Sequence, residues 1–180
     1  MKQIGCGIVL AIGLFSVATA PVFSDPPKQD DIEVTDPAKA EQADAAFGRL
    51  KSLQGRWHKA GEPQHGLIIE FYTTAGGTVL VEEWLNKGKP HSLTLYHRDG
   101  ETLVATHYCP QGNQPRLELV SGDGIAFIFR DATDLDMAKE HYQHNLKFEW
   151  DEQGRLIRSE TYRDGDGRVH PARLVLEPAR

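Results

Sequence analysis

From Trp57 onward the chain is a succession of short β-rich runs separated by turn residues at intervals of roughly 10 to 14 residues, the texture of an all-β meander. The runs are Gly55–Lys59, Leu67–Thr73, Thr78–Trp84, Ser92–His97, Glu101–Tyr108, Arg116–Val120, Ile125–Arg130, Asn145–Trp150, Arg155–Tyr162 and Ala172–Leu176. Between them lie Gly76-Gly77, Lys87-Gly88, Asp99-Gly100, Gly122-Asp123-Gly124, Gln153-Gly154 and Asp164-Gly165-Asp166-Gly167. Such residues tolerate positive φ and so turn the chain tightly. About ten strands with short connections suit an antiparallel up-and-down barrel, because closure removes the exposed edges of a flat sheet. A two-sheet sandwich is the alternative architecture. Only Asp131 to Glu140 reads as a loop or single helical turn, with Asp131, Thr133 and Asp134 as possible caps.

Before the strands, Ala40, Ala43, Phe47, Leu50 and Leu53 recur at helical spacing. Thr35 or Asp36 can cap this helix, and Pro37 suits its first position, where the N–H would be unpaired anyway. An amphipathic helix there is expected to close one end of the barrel. Upstream, residues 19–35 are rich in Pro and Asp and read as a flexible linker. Residues 1–18 read as a signal peptide. Lys2 is the basic flank, Ile4 to Val17 the uncharged apolar stretch, and small residues allow cleavage after Ala18 or Ala20. The stretch is short for a membrane span, which needs about 20 residues. The expected organisation is therefore an export signal (1–18), a linker (19–35) and one barrel domain (36–180), periplasmic or secreted.

The formal net charge is −6, with no basic run. That excludes the positive patch that nucleic acid demands and argues against docking on an anionic membrane. No stable membrane insertion of the mature chain is expected. Cleavage would remove Cys6 and leave Cys109 alone, so no intrachain disulfide could form.

The densest polar grouping runs through the 107–116 connection: His107, Tyr108, Cys109, Asn113, Gln114 and Arg116. Imidazole titrates near neutral pH, a thiolate is a nucleophile, and a guanidinium pairs bidentately with carboxylates. These groups converge on a ligand, or they lock the hairpin, with Arg116 tied to Glu160 or Glu118. In the 92–97 run Leu93, Leu95 and His97 share one face and Ser92, Thr94 and Tyr96 the other, so neither is cleanly apolar. Glu82 and Glu83 face opposite ways, so one could enter the barrel, where it would need a partner such as Arg116 or else be protonated. Glu160 poses the same question, lying between Arg158 and Tyr162 on one face. Outer-face cross-strand pairing is the ordinary state of such glutamates. His141 and His144 have helical ligand spacing, but the following segment is extended, and no metal site is expected. The nucleophile elbow, the phosphate loop and the dinucleotide fingerprint are all missing from the sequence.

The segment from Phe47 to Trp57, ending Gly55-Arg56-Trp57, resembles the start of lipocalin-like (calycin-like) barrels, where a short helix leads to a Gly-x-Trp that seals the closed end. The stretch from Thr106 through His107-Tyr108-Cys109 to Asn113-Gln114-Pro115-Arg116 resembles a segment of exported bacterial lipocalin-like proteins of uncharacterised function. Ten-stranded haem-binding barrels also begin with Gly-x-Trp, but the histidines here are not matched to their iron-ligand motif, and the cofactor stays unknown. The resemblance implies a barrel with an internal small-molecule pocket.

The leading expectation is thus an exported small-molecule-binding barrel with a partly polar pocket. Its ligand-binding candidates are His107, Tyr108, Cys109, Asn113, Arg116, His144 and Glu160. The alternatives are a small-molecule hydrolase or isomerase using His107 with Glu160 or Cys109, and a structural envelope module that binds another protein.

Overall fold

The computed structural model describes residues 36–62, 66–122 and 124–179. The export signal and linker expected at 1–18 and 19–35 lie outside the described residues.

The chain folds as a closed antiparallel barrel of ten strands in sequence order, each paired with its chain neighbours. They are β1 (Gly55–Lys59), β2 (Leu67–Thr74), β3 (Val79–Asn86), β4 (Lys89–Asp99), β5 (Thr102–Tyr108), β6 (Gln114–Leu119), β7 (Ile125–Thr133), β8 (Tyr142–Trp150), β9 (Leu156–Arg163) and β10 (Val169–Pro178). Every run read from the sequence is a strand, most of them longer than expected. β1 closes the ring. It pairs with β2 through Trp57↔Ile69 and with β10 through Lys59↔Leu176. Closure pairs each described strand with a neighbour on both sides, although β7 and β8 pair only from Ile125↔Phe148 to Ile128↔Asn145.

The turns follow their residues. Lys87 and Gly88, both at positive φ, join β3 to β4 as the two central residues of a hairpin that matches strand twist. At the β4–β5 hairpin the central pair is Gly100-Glu101, one residue later than Asp99-Gly100. The 131–134 region differs from the reading. Asp131 is not a helix cap but a β7 residue opposite Arg116 on β6. The strand persists because their side chains pair on the outer face.

Helix α1 (Pro37–Lys51) starts as its sequence dictates, with the Asp36 carboxylate accepting from Ala38 and Lys39 N–H and Pro37 in the first turn. Ala43, Ala46, Phe47 and Leu50 form its buried face. With Leu53 they join one apolar core with Phe71 and Leu80, Leu103, Leu119 and Ile125, and Leu156 and Leu176. Arg98 from the end of β4 fixes the helix, donating to Ala40 C=O and pairing with Asp44. The Gly-x-Trp element completes this end. Gly55 takes φ +124, and Trp57 Nε1 donates to Leu53 C=O at 2.7 Å. Among the described residues no helix is long and apolar enough to cross a membrane.

Leu50 is fully buried between helix and barrel. Leu50→Ala is expected to destabilise the fold by about 2–5 kcal/mol through lost burial and a residual cavity, measured by urea unfolding.

Candidate functional site

The barrel interior changes character along its axis. Toward α1 it is filled by buried apolar side chains, with Tyr96 packed against Phe127 and Phe148 at ring separations of 5.7 and 6.1 Å. Toward the opposite end the inward positions turn polar. Strand alternation carries β3 from Leu80 to Glu82 and Trp84, β4 back from Tyr96 to Thr94, and β5 from Ala105 to His107. On β9 the same period presents Arg158, Glu160 and Tyr162 after Leu156.

At the boundary sits a buried charge cluster. The Arg158 side chain is 1% exposed, Glu82 0% and Glu160 10%. Arg158 Nε lies 2.8 Å from Glu82 Oε1, and Nη1 lies 2.9 Å from Glu160 Oε2. No guanidinium N–H is aligned along a directed hydrogen bond, and Nη2 has no partner. Charge and stacking therefore hold Arg158, its guanidinium lying 4.8 Å from the Trp84 ring centroid. Glu82 also accepts from Trp84 Nε1 at 2.6 Å and from the Tyr96 hydroxyl. Glu160 accepts from Gln143 Nε2 at 2.6 Å.

Protonation states follow from these contacts. Burial opposes the charge on Arg158, but Glu160 and Glu82 outweigh it and hold the guanidinium protonated more firmly than usual. Burial likewise raises the Glu160 carboxyl, yet Arg158 more than compensates and keeps it below the ordinary range. Tyr96 and Tyr162 are raised by burial and by Glu82 and Glu160 respectively, so both stay neutral. His107 is pushed down to about 4 by burial and then by Arg158. It is neutral at pH 7. Thr94 Oγ1 lies 3.0 Å from its Nδ1 and the Tyr162 hydroxyl 3.3 Å from its Nε2.

The structure disperses the grouping that the sequence placed together. His107 and Glu160 face the interior, but Tyr108, next along β5, points outward and is 42% exposed. Arg116 also faces outward and pairs with Asp131, not with Glu160 or Glu118. Asn113 is buried in the β5–β6 loop. Its amide donates to His141 C=O at 3.1 Å and Glu140 Oε2 at 3.4 Å, tying that loop to the β7–β8 connection. Cys109 is half-buried, with Gln111 Nε2 3.5 Å from its sulfur, while both ring nitrogens of His107 face hydroxyls. His144 packs between β7 and β8, where pairing stops at Ile128↔Asn145 and the Phe129, Tyr142 and His144 rings fill the space. Burial, then Arg163, lowers its pKa.

Glu82 and Glu160 reverse the expectation of outer-face pairing: both are inside, neutralised in part by Arg158. The sequence carried a signal for this, since Arg158, Glu160 and Tyr162 alternate in register with the inward Leu156. Gln143 had none. A bulge between Gln143 and Asn145 breaks the alternation and turns Gln143 into the barrel while Asn145 faces out.

A groove of about 670 Å³ crosses β7 to β10, lined by outward residues such as Ile128, Lys147, Pro171 and Arg173 and reaching the inward-facing positions Phe127, Leu146 and Glu160.

His107 makes stability pH-dependent with a definite sign. Its folded value of about 4 lies below the ordinary 6.5, so between these values the unfolded chain binds the extra proton. The contribution is full above pH 6.5 and is lost as pH falls toward 4, about 3 kcal/mol in all. His107→Asn is expected to flatten the decline of urea-unfolding stability between pH 6.5 and 4 relative to the parent chain. Parallel profiles would contradict a buried neutral imidazole.

Comparison with protein-family models and with curated proteins finds no match to this chain.

Proposed function

We propose that this chain is an exported, lipocalin-like small-molecule-binding barrel whose ligand docks at the end opposite α1, against the Glu82–Arg158–Glu160 cluster. The carrying observation is that this cluster is buried yet incompletely satisfied. Arg158 Nη2 and the Gln143 amide oxygen are buried without hydrogen-bond partners. Each such group costs about 1–3 kcal/mol unless a ligand or an ordered water completes it. A barrel built for stability alone would fill these positions with apolar side chains, as the half beneath α1 does.

Trp84 and Tyr162 are half-buried inward groups beside the cluster, and with Glu160, its member nearest solvent, they are placed to meet a molecule entering from solvent. Their mixture of aromatic faces and polar tips suits a small ligand with one apolar and one polar end. The basic flank, apolar stretch and small residues of positions 1–20 support export. A catalytic role for His107 with Glu160 or Cys109 has weaker support, because neutral hydroxyls occupy both imidazole nitrogens. The outer groove across β7 to β10 supports the protein-binding alternative less well, since it holds none of the buried, unsatisfied groups.

Native mass spectrometry of the chain purified from its own host, set against the denatured mass, tests this reading. The expected result is an added mass lost on denaturation and absent from a folded Arg158→Met variant. No added mass, or an adduct that survives Arg158→Met, would contradict it.

A further inference from the structure

We infer that the head group bound at the cluster is a hydrogen-bond-donating cation, such as a primary ammonium. This rests on the binding reading above and names the chemistry of its ligand. Two carboxyl groups, Glu82 and Glu160, share a single guanidinium, Arg158, so acidic groups outnumber basic ones in the buried cluster. His107 is neutral and does not offset it.

Two acceptors of this region are unclaimed. Glu160 is the cluster member nearest solvent, and its recorded contacts with Arg158 and Gln143 both use Oε2. Among the described residues Oε1 accepts no hydrogen bond. Gln143 is fully buried, and its Oε1 has no partner. The orientation of that amide is fixed, because only its NH₂ group can face a carboxylate. Covalent geometry then sets the orphan amide oxygen beside Glu160. An ammonium carries several N–H donors and one positive charge, so it would satisfy both acceptors and balance the excess of acidic groups. A carboxylate ligand would meet the charge of Glu160 before reaching Arg158, which is more deeply buried and lies against Trp84.

The test uses the full chain and three probes of matched shape: benzylammonium, benzyl alcohol and benzoate. Each is titrated calorimetrically at pH 7, with the Trp84 indole N–H resonance followed by NMR. Benzylammonium is expected to bind at least about tenfold more tightly than benzyl alcohol, and benzoate least, because hydrogen bonds between charged groups are stronger than those between neutral ones. Glu160→Gln is expected to remove that preference. If Glu160→Gln fails to fold by circular dichroism, Gln143→Met keeps every charge and is expected to weaken benzylammonium several-fold. Tighter binding of benzyl alcohol or benzoate, with a shifted Trp84 resonance, would overturn the cation and leave the binding site standing. So would a benzylammonium affinity unchanged by both substitutions. Silence from all three probes in calorimetry and at Trp84 would count against the site and the cation together.

Discussion

Pairing of β1 with both β2 and β10 is the constraint from which the rest follows. Once the ring is closed, every strand has one face toward a finite interior and one toward the outside, and alternate residues have no third choice. Glu82 is then committed to the interior by the same period that buries Leu80, and Glu160 by the period that buries Leu156. The charged cluster is a consequence of closure acting on two particular strands. Arg158, two residues from Glu160 on one face, is the counter-charge that both carboxyl groups meet in this buried site, and it holds the Glu160 carboxyl below its ordinary range.

The interior thus divides into two regions with different physics. Beneath α1, burial of Phe71, Phe127, Phe148 and the helix face supplies the hydrophobic stabilisation, and Trp57 and Arg98 fix the cap. Beyond Tyr96, the barrel holds charge in a low-dielectric setting, which is expensive unless the charges meet good partners. Tyr96 stands at the junction. Its ring packs on Phe127 and Phe148 while its hydroxyl donates to Glu82. The apolar half holds the polar half in place, and the incomplete satisfaction of the polar half is what motivates a ligand there.

Strand number, strand order and the capping helix were legible in the sequence because each rests on local chemistry. Turn residues at short intervals, a Pro37 helix start and a helical apolar stripe all act over a few positions. The site was legible only in part. His107 and Glu160 were singled out, but Tyr108 and Arg116 stood with them because they are near in sequence, and strand alternation sends those two to the opposite face. Arg158 stands two residues before Glu160, yet the expectation that glutamates pair outside gives it no interior role. Gln143 could not be found by counting, since the β8 bulge shifts the alternation by one residue. Non-local pairing and bulges decide such placements, and neither has a short-range signature.

If the cluster serves a ligand, removing all of it should leave the fold standing. The decisive measurement is urea unfolding of a chain carrying Glu82→Met, Tyr96→Phe, Arg158→Met and Glu160→Leu together. Replacing buried ion pairs with apolar residues of similar volume is often neutral or stabilising by about 1–4 kcal/mol. Cooperative unfolding with stability within about 2 kcal/mol of the parent, or above it, is the expected result. A loss of more than about 4 kcal/mol, or a chain that no longer unfolds cooperatively, would show that the buried charges hold the barrel together and would contradict their assignment to a ligand.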